Sequence, residues 1–363
     1  MFYLYHKAAF DPLIRVFEAD PNFDVYLSLT HEIERKFKVF EIDKTQKYIE
    51  QFRQAGHQIS DENEQFDIVI CPDTLNESLY GKTMLCFVNH GTGIKNVLFR
   101  NLEKHKAHHY NIFVEGQYRV DALEQSGSLH GSEVFKVGLP KLDPIFQDGF
   151  FNRDVMLTAL GLSPEKQTVL FAPTYKPTCI YDVKDAIFAA TQEYNLIVKL
   201  HHYAWMGKFA HHSQHKIMER RISRHDHAVL IPKDDYNIIP LMAVSDTLVS
   251  EASSTVFDFL ATGKHGVIYD LPHDKLVHSD GQPLLNIDNR IFLKDAFVHV
   301  GSPEELEAGI HQALYPTDAM ISAAATERNY YFHQLDGRAS ERTRDEILRL
   351  YHEGTHLNNP ERM

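Results

Sequence analysis

The chain has 363 residues, 43% apolar and 11% aromatic, and a net charge of −13; this composition is globular and the length suits two cores better than one. The charge argues against a general nucleic-acid binder, which needs a basic stripe for the phosphates, but a local pocket for an anionic ligand can still be positive. No apolar run approaches the ~18 residues that span a bilayer, the start "MFYLYHKAAFDPLIRVFEADP" lacks signal-peptide character, and the three scattered cysteines Cys71, Cys86 and Cys179 read as reduced thiols. A cytoplasmic protein is expected.

In chain order, short β-rich runs alternate with helical stretches, the pattern of an α/β protein with largely parallel sheets. The first half predicts strands at "FDIVICP", "MLCFVNH", "YNIFVEG" and "EVFKVGLP", with helices at "DKTQKYIEQFRQAG" and "GQYRVDALEQSG", the second closed by a glycine suited to a left-handed cap. The turn-rich segment "LPKLDPIFQDGFFNRDVMLTALGLSPEKQ" places a domain boundary around residues 145–165. Beyond it come strands at "QTVLFAPT", "NLIVKLHH", "HAVLIP", "TLVSEA" and "HGVIYD". A helix follows at "SPEELEAGIHQAL", where Leu306, Ile310 and Leu314 share a face. The expected division is 1–150, 151–330 and a tail 331–363. A long helical stretch over about 318–352 can run back to the first domain. Two facing open sheets would leave a ligand cleft between the carboxyl ends of their strands.

Several strand ends carry chemistry. In "LVSEASSTVFDFLATG" a strand ends near Glu251 and a helix starts near Thr255. The unpaired N–H groups and partial positive charge of a first turn suit a phosphate. Ser254 is read as the cap, leaving Ser253 and Thr255 free for a ligand; plain capping explains the same residues. In "CFVNHGTGIKN", Asn89 and His90 are followed by Gly91, Thr92, Gly93 and Lys95, and a turn histidine can take a proton from an alcohol or simply cap the next helix. "LIVKLHHYAW" ends in Lys199, His201 and His202, of which alternation turns one histidine toward a cleft. "FAPTYKP" offers Thr174 and Lys176, the lysine either meeting a phosphate or lying solvated in its turn. "DGRASERTRDEI" holds Asp336, Arg338 and Ser340, with Ser340 at a helix entrance. G-x-S-x-G, Walker, Rossmann and Asp-x-Asp patterns are absent from the sequence, and no metal or cofactor is expected.

Taken in order, "NHGTGIK", "VGLPKLD", "LFAPTYK", "VKLHH", "AVSDTLVSEASSTVFDFLATGKHGVIY" and "DGRASER" resemble the CDP-glycerol glycerophosphotransferase family, the teichoic-acid polymerase and primase type, over roughly residues 85–350. The resemblance implies a GT-B fold of two facing Rossmann-like domains, with the acceptor side in the first and the nucleotide donor in the second. It implies transfer of glycerol phosphate, or a related polyol phosphate, from CDP-glycerol or a similar CDP-polyol to a hydroxyl of a polymer or glycan acceptor, lipid-linked or not, with release of CMP. By position, His90 is the implied general base, with Gly91, Thr92 and Lys95 in its acceptor-side loop. His201 is implied at the donor phosphates, and Thr174, Lys176, Glu251, Ser253, Ser254, Thr255, Arg338 and Ser340 on the donor side.

The chain departs from the family pattern at several of these positions. Asn89 and Gly93 stand where the family has Trp-His-Gly-Thr-Pro-Leu-Lys, His202 replaces a proline, and Glu251 with Ala252 replaces Asp-Tyr. No basic amphipathic helix for anionic lipid is evident, so a capsule or lipopolysaccharide glycan fits as acceptor alongside a wall polymer. Action at the inner face of the plasma membrane stays open. Two other readings compete: a GT-B glycosyltransferase or sugar epimerase using a UDP- or GDP-sugar, and a non-catalytic glycan-assembly scaffold.

Overall fold

The buried apolar runs pair into two separate parallel sheets. The computed structural model describes residues 7–29, 33–36, 40–60, 64–72, 83–92, 97–206, 214–277, 283, 285 and 292–354. Four short strands come first: β1 (Tyr26–Leu27), β2 (Ile33–Lys36), β3 (Phe40–Asp43) and β4 (Gln58–Ile59). β1 runs parallel to β4, and β2 and β3 pair antiparallel. The first main sheet then runs β5 (Ile68–Cys71), β6 (Met84–Val88), β7 (Asn111–Val114) and β8 (Glu133–Lys136), parallel and in sequence order.

Alternation along these strands explains why they read as unbroken apolar runs. Met84, Cys86 and Val88 of β6 enter a cluster with Phe10, Leu13, Ile14 and Phe17 of the Lys7–Glu18 helix, while Leu85 and Phe87 enter a second cluster with Leu102, Ile112 and Leu123. With both faces covered, every position of the strand is apolar. The Gln117–Ser126 helix closes at Gly127, which takes the left-handed conformation at φ 66° as its glycine predicts.

The second sheet comprises β9 (Thr168–Phe171), β10 (Asn195–Val198), β11 (Ala228–Leu230), β12 (Thr247–Ser250), β13 (Gly266–Tyr269) and β14 (Val298–Val300), all parallel, in the order β11-β10-β9-β12-β13-β14. The chain winds outward from β9 in one direction and then from β12 in the other. The strand order therefore reverses between β9 and β12, and the crevice beyond their carboxyl ends is where ligands bind such sheets.

The stretch expected as one helix over 318–352 is two, Asp318–Tyr331 and Ala339–His352. The chain turns extended at Phe332, and the Asp336 carboxylate accepts from the Arg338 N–H at 3.1 Å, a local turn that competes with the helix. The second of the two packs on the Lys7–Glu18 helix, with Ile347 and Leu350 in that helix's apolar cluster. Among the described residues no helix is long and apolar enough to cross a membrane.

Candidate active site

The carboxyl ends of β10, β9 and β12 lie side by side, and their loops make one wall of the site. After β12, Glu251 is completely buried, and its carboxylate turns back into the loop after β9. Oε1 accepts from the Thr174 N–H at 2.9 Å and from the Cys179 N–H at 3.3 Å, and Oε2 lies 3.1 Å from Cys179 Sγ. Its partners are neutral, so burial dominates and pushes the carboxyl up to about 7. Glu251 thus fixes the loop that carries Thr174 and the exposed Lys176.

Ser253 is the residue that caps the following helix, with extended φ −136° and ψ 147° and its hydroxyl accepting from the Thr255 N–H at 3.3 Å. This corrects the expectation that Ser254 caps: Ser254 is the first helical residue, and with Thr255 it is half-buried. Beyond β10, the His201 ring packs against Tyr175 of the β9 loop, centroid to centroid at 4.5 Å with the rings tilted by 40°, and its Nδ1 accepts from the Tyr203 N–H at 3.2 Å. His202 points inward as a buried neighbour of Tyr236, ring to ring at 5.1 Å, and Tyr236 packs in turn against the first domain's apolar cluster near Tyr48. Lys199 is buried too, and desolvation lowers its amine to about 8.

On the opposite wall, β6 ends at Val88 and Asn89 starts the turn. Asn89 donates its side-chain amide at 2.7 Å to Glu115, a fully buried carboxylate after β7 that also receives two N–H groups from Arg119 at 3.1 and 3.2 Å. The half-buried His90 follows, then Gly91, which lies directly on the other domain. A Cβ built there would stand 3.2 Å from Ser254 Oγ and 3.6 Å from Asp258 Oδ2. The Thr92 N–H donates to Asp258 Oδ1 at 3.1 Å, and Lys141 beyond β8 donates to Asp258 Oδ2 at 2.5 Å.

The structure therefore brings Gly91, Thr92 and Ser254 together at the switch point, with Ser253, Thr255, Thr174, Lys176 and His201 on the same strand ends. Lys95 lies outside the described residues. Arg338 and Ser340 sit elsewhere, at the entrance of the final helix. Arg338 is exposed and paired with Glu341 at 2.7 Å, while Ser340 is buried. Ser340 does not cap that helix. Asp143 does, accepting from the Ala339 and Ser340 N–H groups at 2.8 Å each. Burial raises the Asp143 carboxyl despite those bonds. Sequence reading passed over Asp143, Lys141, Glu115 and Asp258. A signal was present in "VGLPKLD", whose lysine and aspartate follow a strand end.

Two α/β units that meet through the carboxyl ends of parallel sheets define a GT-B fold. Solved structures agree: the wall teichoic acid polymerase TagF superposes with a TM-score of 0.65 at 13% identity over 96% of this chain and 86% of that chain. A putative UDP-N-acetylglucosamine 2-epimerase from Listeria monocytogenes gives 0.59 at 15%, over 97% and 95%. At such identities the likeness is one of fold. The sequence goes further: residues 43–349 match the profile of the CDP-Glycerol:Poly(glycerophosphate) glycerophosphotransferases, and the chain belongs to that family. Over 274 residues it is 23% identical to a teichoic acid ribitol-phosphate primase of Bacillus spizizenii. That match covers 72% of this chain and 64% of the primase, so the chain spans less than two thirds of that relative's length.

Proposed function

We propose that the protein transfers a polyol phosphate, glycerol phosphate or ribitol phosphate, from its CDP ester to a hydroxyl of a cell-surface polymer or glycan, releasing CMP. The acceptor oxygen attacks the β-phosphorus, the bond from that phosphorus to the oxygen bridging the two phosphates breaks, and CMP leaves with the electron pair. His90 takes the acceptor proton. His201, the hydroxyls of Ser253, Ser254 and Thr255, and the Lys176 ammonium stabilise charge on the transferring and leaving phosphates. Glu251 and Thr174 keep the lysine loop in place, and Gly91 and Thr92 bring the base up to the donor. Most of the acceleration then comes from position and electrostatics, as in other phosphoryl transfers.

The observation that carries this reading is the approach of Gly91 to Ser254, with 3.2 Å between a built Cβ and the serine hydroxyl. It puts the backbone next to His90 against the hydroxyl turn of the opposite domain, as a base acting on a bound diphosphate requires. Family membership supports the chemistry. Glycerol in the family's description and ribitol in the relative's name leave two donors to compare.

The test is CMP release from CDP-glycerol and from CDP-ribitol with teichoic, capsular and lipopolysaccharide acceptors, together with thermal shifts in CDP, UDP and GDP. A ligand held only by the folded protein raises its melting temperature. CMP release with one donor, and a larger shift in CDP than in UDP or GDP, is expected. Preference for UDP moves the protein toward the sugar-nucleotide enzymes, and no release with any acceptor would favour a scaffold.

A further inference from the structure

We propose that Asp258 is a positioning residue for the His90 turn, fixing that turn against the donor-side helix when the two domains meet. The proposal rests on the transfer reading above and adds to it the group that sets where the base stands.

Asp258 lies one turn beyond Ser254 on the Ser254–Leu260 helix, so both side chains share a face. It is completely buried, and its two oxygens serve two separate segments, the turn after β6 and the segment after β8. Oδ1 takes the Thr92 N–H at 3.1 Å, and Oδ2 takes the Lys141 ammonium at 2.5 Å. Thr92 is two residues from His90, and the residue between them rests on Ser254. One face of one helix therefore holds the turn at two consecutive residues.

The chemistry of the pair links this grip to domain closure. A charge this deeply buried is stabilised by a compensating cation, and here the cation is Lys141, from the segment that leads out of β8 toward the second sheet. With the domains apart, Asp258 is open to solvent on the side of the β6 turn, and the Thr92 amide loses its acceptor. Glu251, equally buried seven positions earlier, takes its donors among the described residues from its own domain. Of these two carboxylates, Asp258 is the one that reports on the opposite wall.

Since nucleotide binding belongs to the second domain in this reading, loosening the turn changes turnover and leaves donor affinity alone. Asp258→Asn keeps an acceptor for Thr92 and removes the charge that answers Lys141, whereas Asp258→Ala removes both. The expected fall in kcat for CMP release is on the order of 10-fold for Asn and 10²-fold for Ala, with donor KM and CDP affinity within about threefold of wild type. In a His90→Ala background Asp258→Asn adds no further loss, because both act through one group.

Hydrogen exchange gives a readout that needs no activity: the Thr92 amide exchanges faster in both variants, most in Ala. An unchanged kcat in the Asn variant, a rise in KM in place of the kcat loss, a multiplying loss on His90→Ala, or unaltered exchange at Thr92 would each overturn the proposal. A wild-type protein that releases no CMP defeats the transfer reading instead, and the exchange measurement still decides whether Asp258 holds the turn. If Asp258→Ala does not fold, the Asn variant decides alone.

Discussion

The wall of the cleft after β9, β10 and β12 is built by one sheet from its own residues, whereas the wall after β6 is finished by the other domain. Glu251 holds the Thr174–Cys179 loop from the next strand, and the Tyr175 and His201 rings pack across neighbouring strand ends. The His90 turn is instead held from two sides, by Glu115 through Asn89 and by Ser254 and Asp258 across the gap. The loops of the first wall are held by bonds within their own domain; the turn of the second is held partly by the other domain. Nucleotide affinity should therefore belong to the first wall and turnover to the second.

The largest expected effect tests that division directly. His90→Ala and His201→Ala each lower CMP release on the order of 10²-fold or more. They part company in binding: His201→Ala also shrinks the rise in melting temperature caused by CDP, and His90→Ala leaves it intact. Equal loss of the CDP shift in both would break the comparison, and a near wild-type rate in either would remove the role given to that histidine.

Next in size is the buttress under the first wall. Glu251→Ala orphans the Thr174 and Cys179 N–H groups in a buried place, at a cost of about 3 kcal/mol. Glu251→Gln retains an amide oxygen for them and costs under about 1 kcal/mol. Urea unfolding of the two variants gives the difference. If they are equally destabilised, the loss does not come from the orphaned Thr174 and Cys179 N–H groups.

A smaller effect concerns the return of the chain to the first domain. Asp143→Ala leaves two helix-terminal N–H groups without their acceptor and costs about 2 kcal/mol, read as a lowered urea midpoint. Loss of CDP binding in this variant would place the final helix nearer the nucleotide than Arg338 and Ser340 now stand.

What was readable in the sequence follows the same division. Nine strands were visible as short β-rich runs bounded by turns, most of them covered on both faces although Glu133 and Lys136 of β8 are exposed, and the serine-rich turn was visible because it sits at a strand end. Val298–Val300, three residues with a histidine in the middle, offers no such run. The Lys7–Glu18 helix was passed over even though Phe10, Leu13, Ile14 and Phe17 have helical spacing. Which serine caps was hidden because adjacent hydroxyls are equivalent as letters; only the extended backbone of Ser253 selects it. Thr92 and Asp258 stand 166 positions apart, and no local pattern of charge or hydropathy joins them. Contacts within a domain leave periodic traces, while single bonds between domains leave none.

The smallest effect expected is a pH dependence at the first wall. Burial lowers the Lys199 amine from an ordinary 10.5 to about 8, with Asp235 opposing the shift. Between those values the unfolded chain holds a proton that the folded protein has released, so stability from this group rises with pH. Below pH 8 the folded protein bears the whole cost of a buried ammonium. Lys199→Met removes the cost: the variant is more stable than wild type at pH 7, and its advantage narrows by about 1 kcal/mol by pH 9. Glu251 titrates in the opposite sense. Its carboxyl is raised from 4.5 to about 7, so its contribution is fully present at low pH and is lost as pH rises through 7. Glu251→Gln therefore flattens the stability curve on the acid side, and Lys199→Met flattens it on the alkaline side. Urea unfolding of both variants at pH 5, 7 and 9 separates the two, because equal curves at all three values would mean that neither group is desolvated as placed.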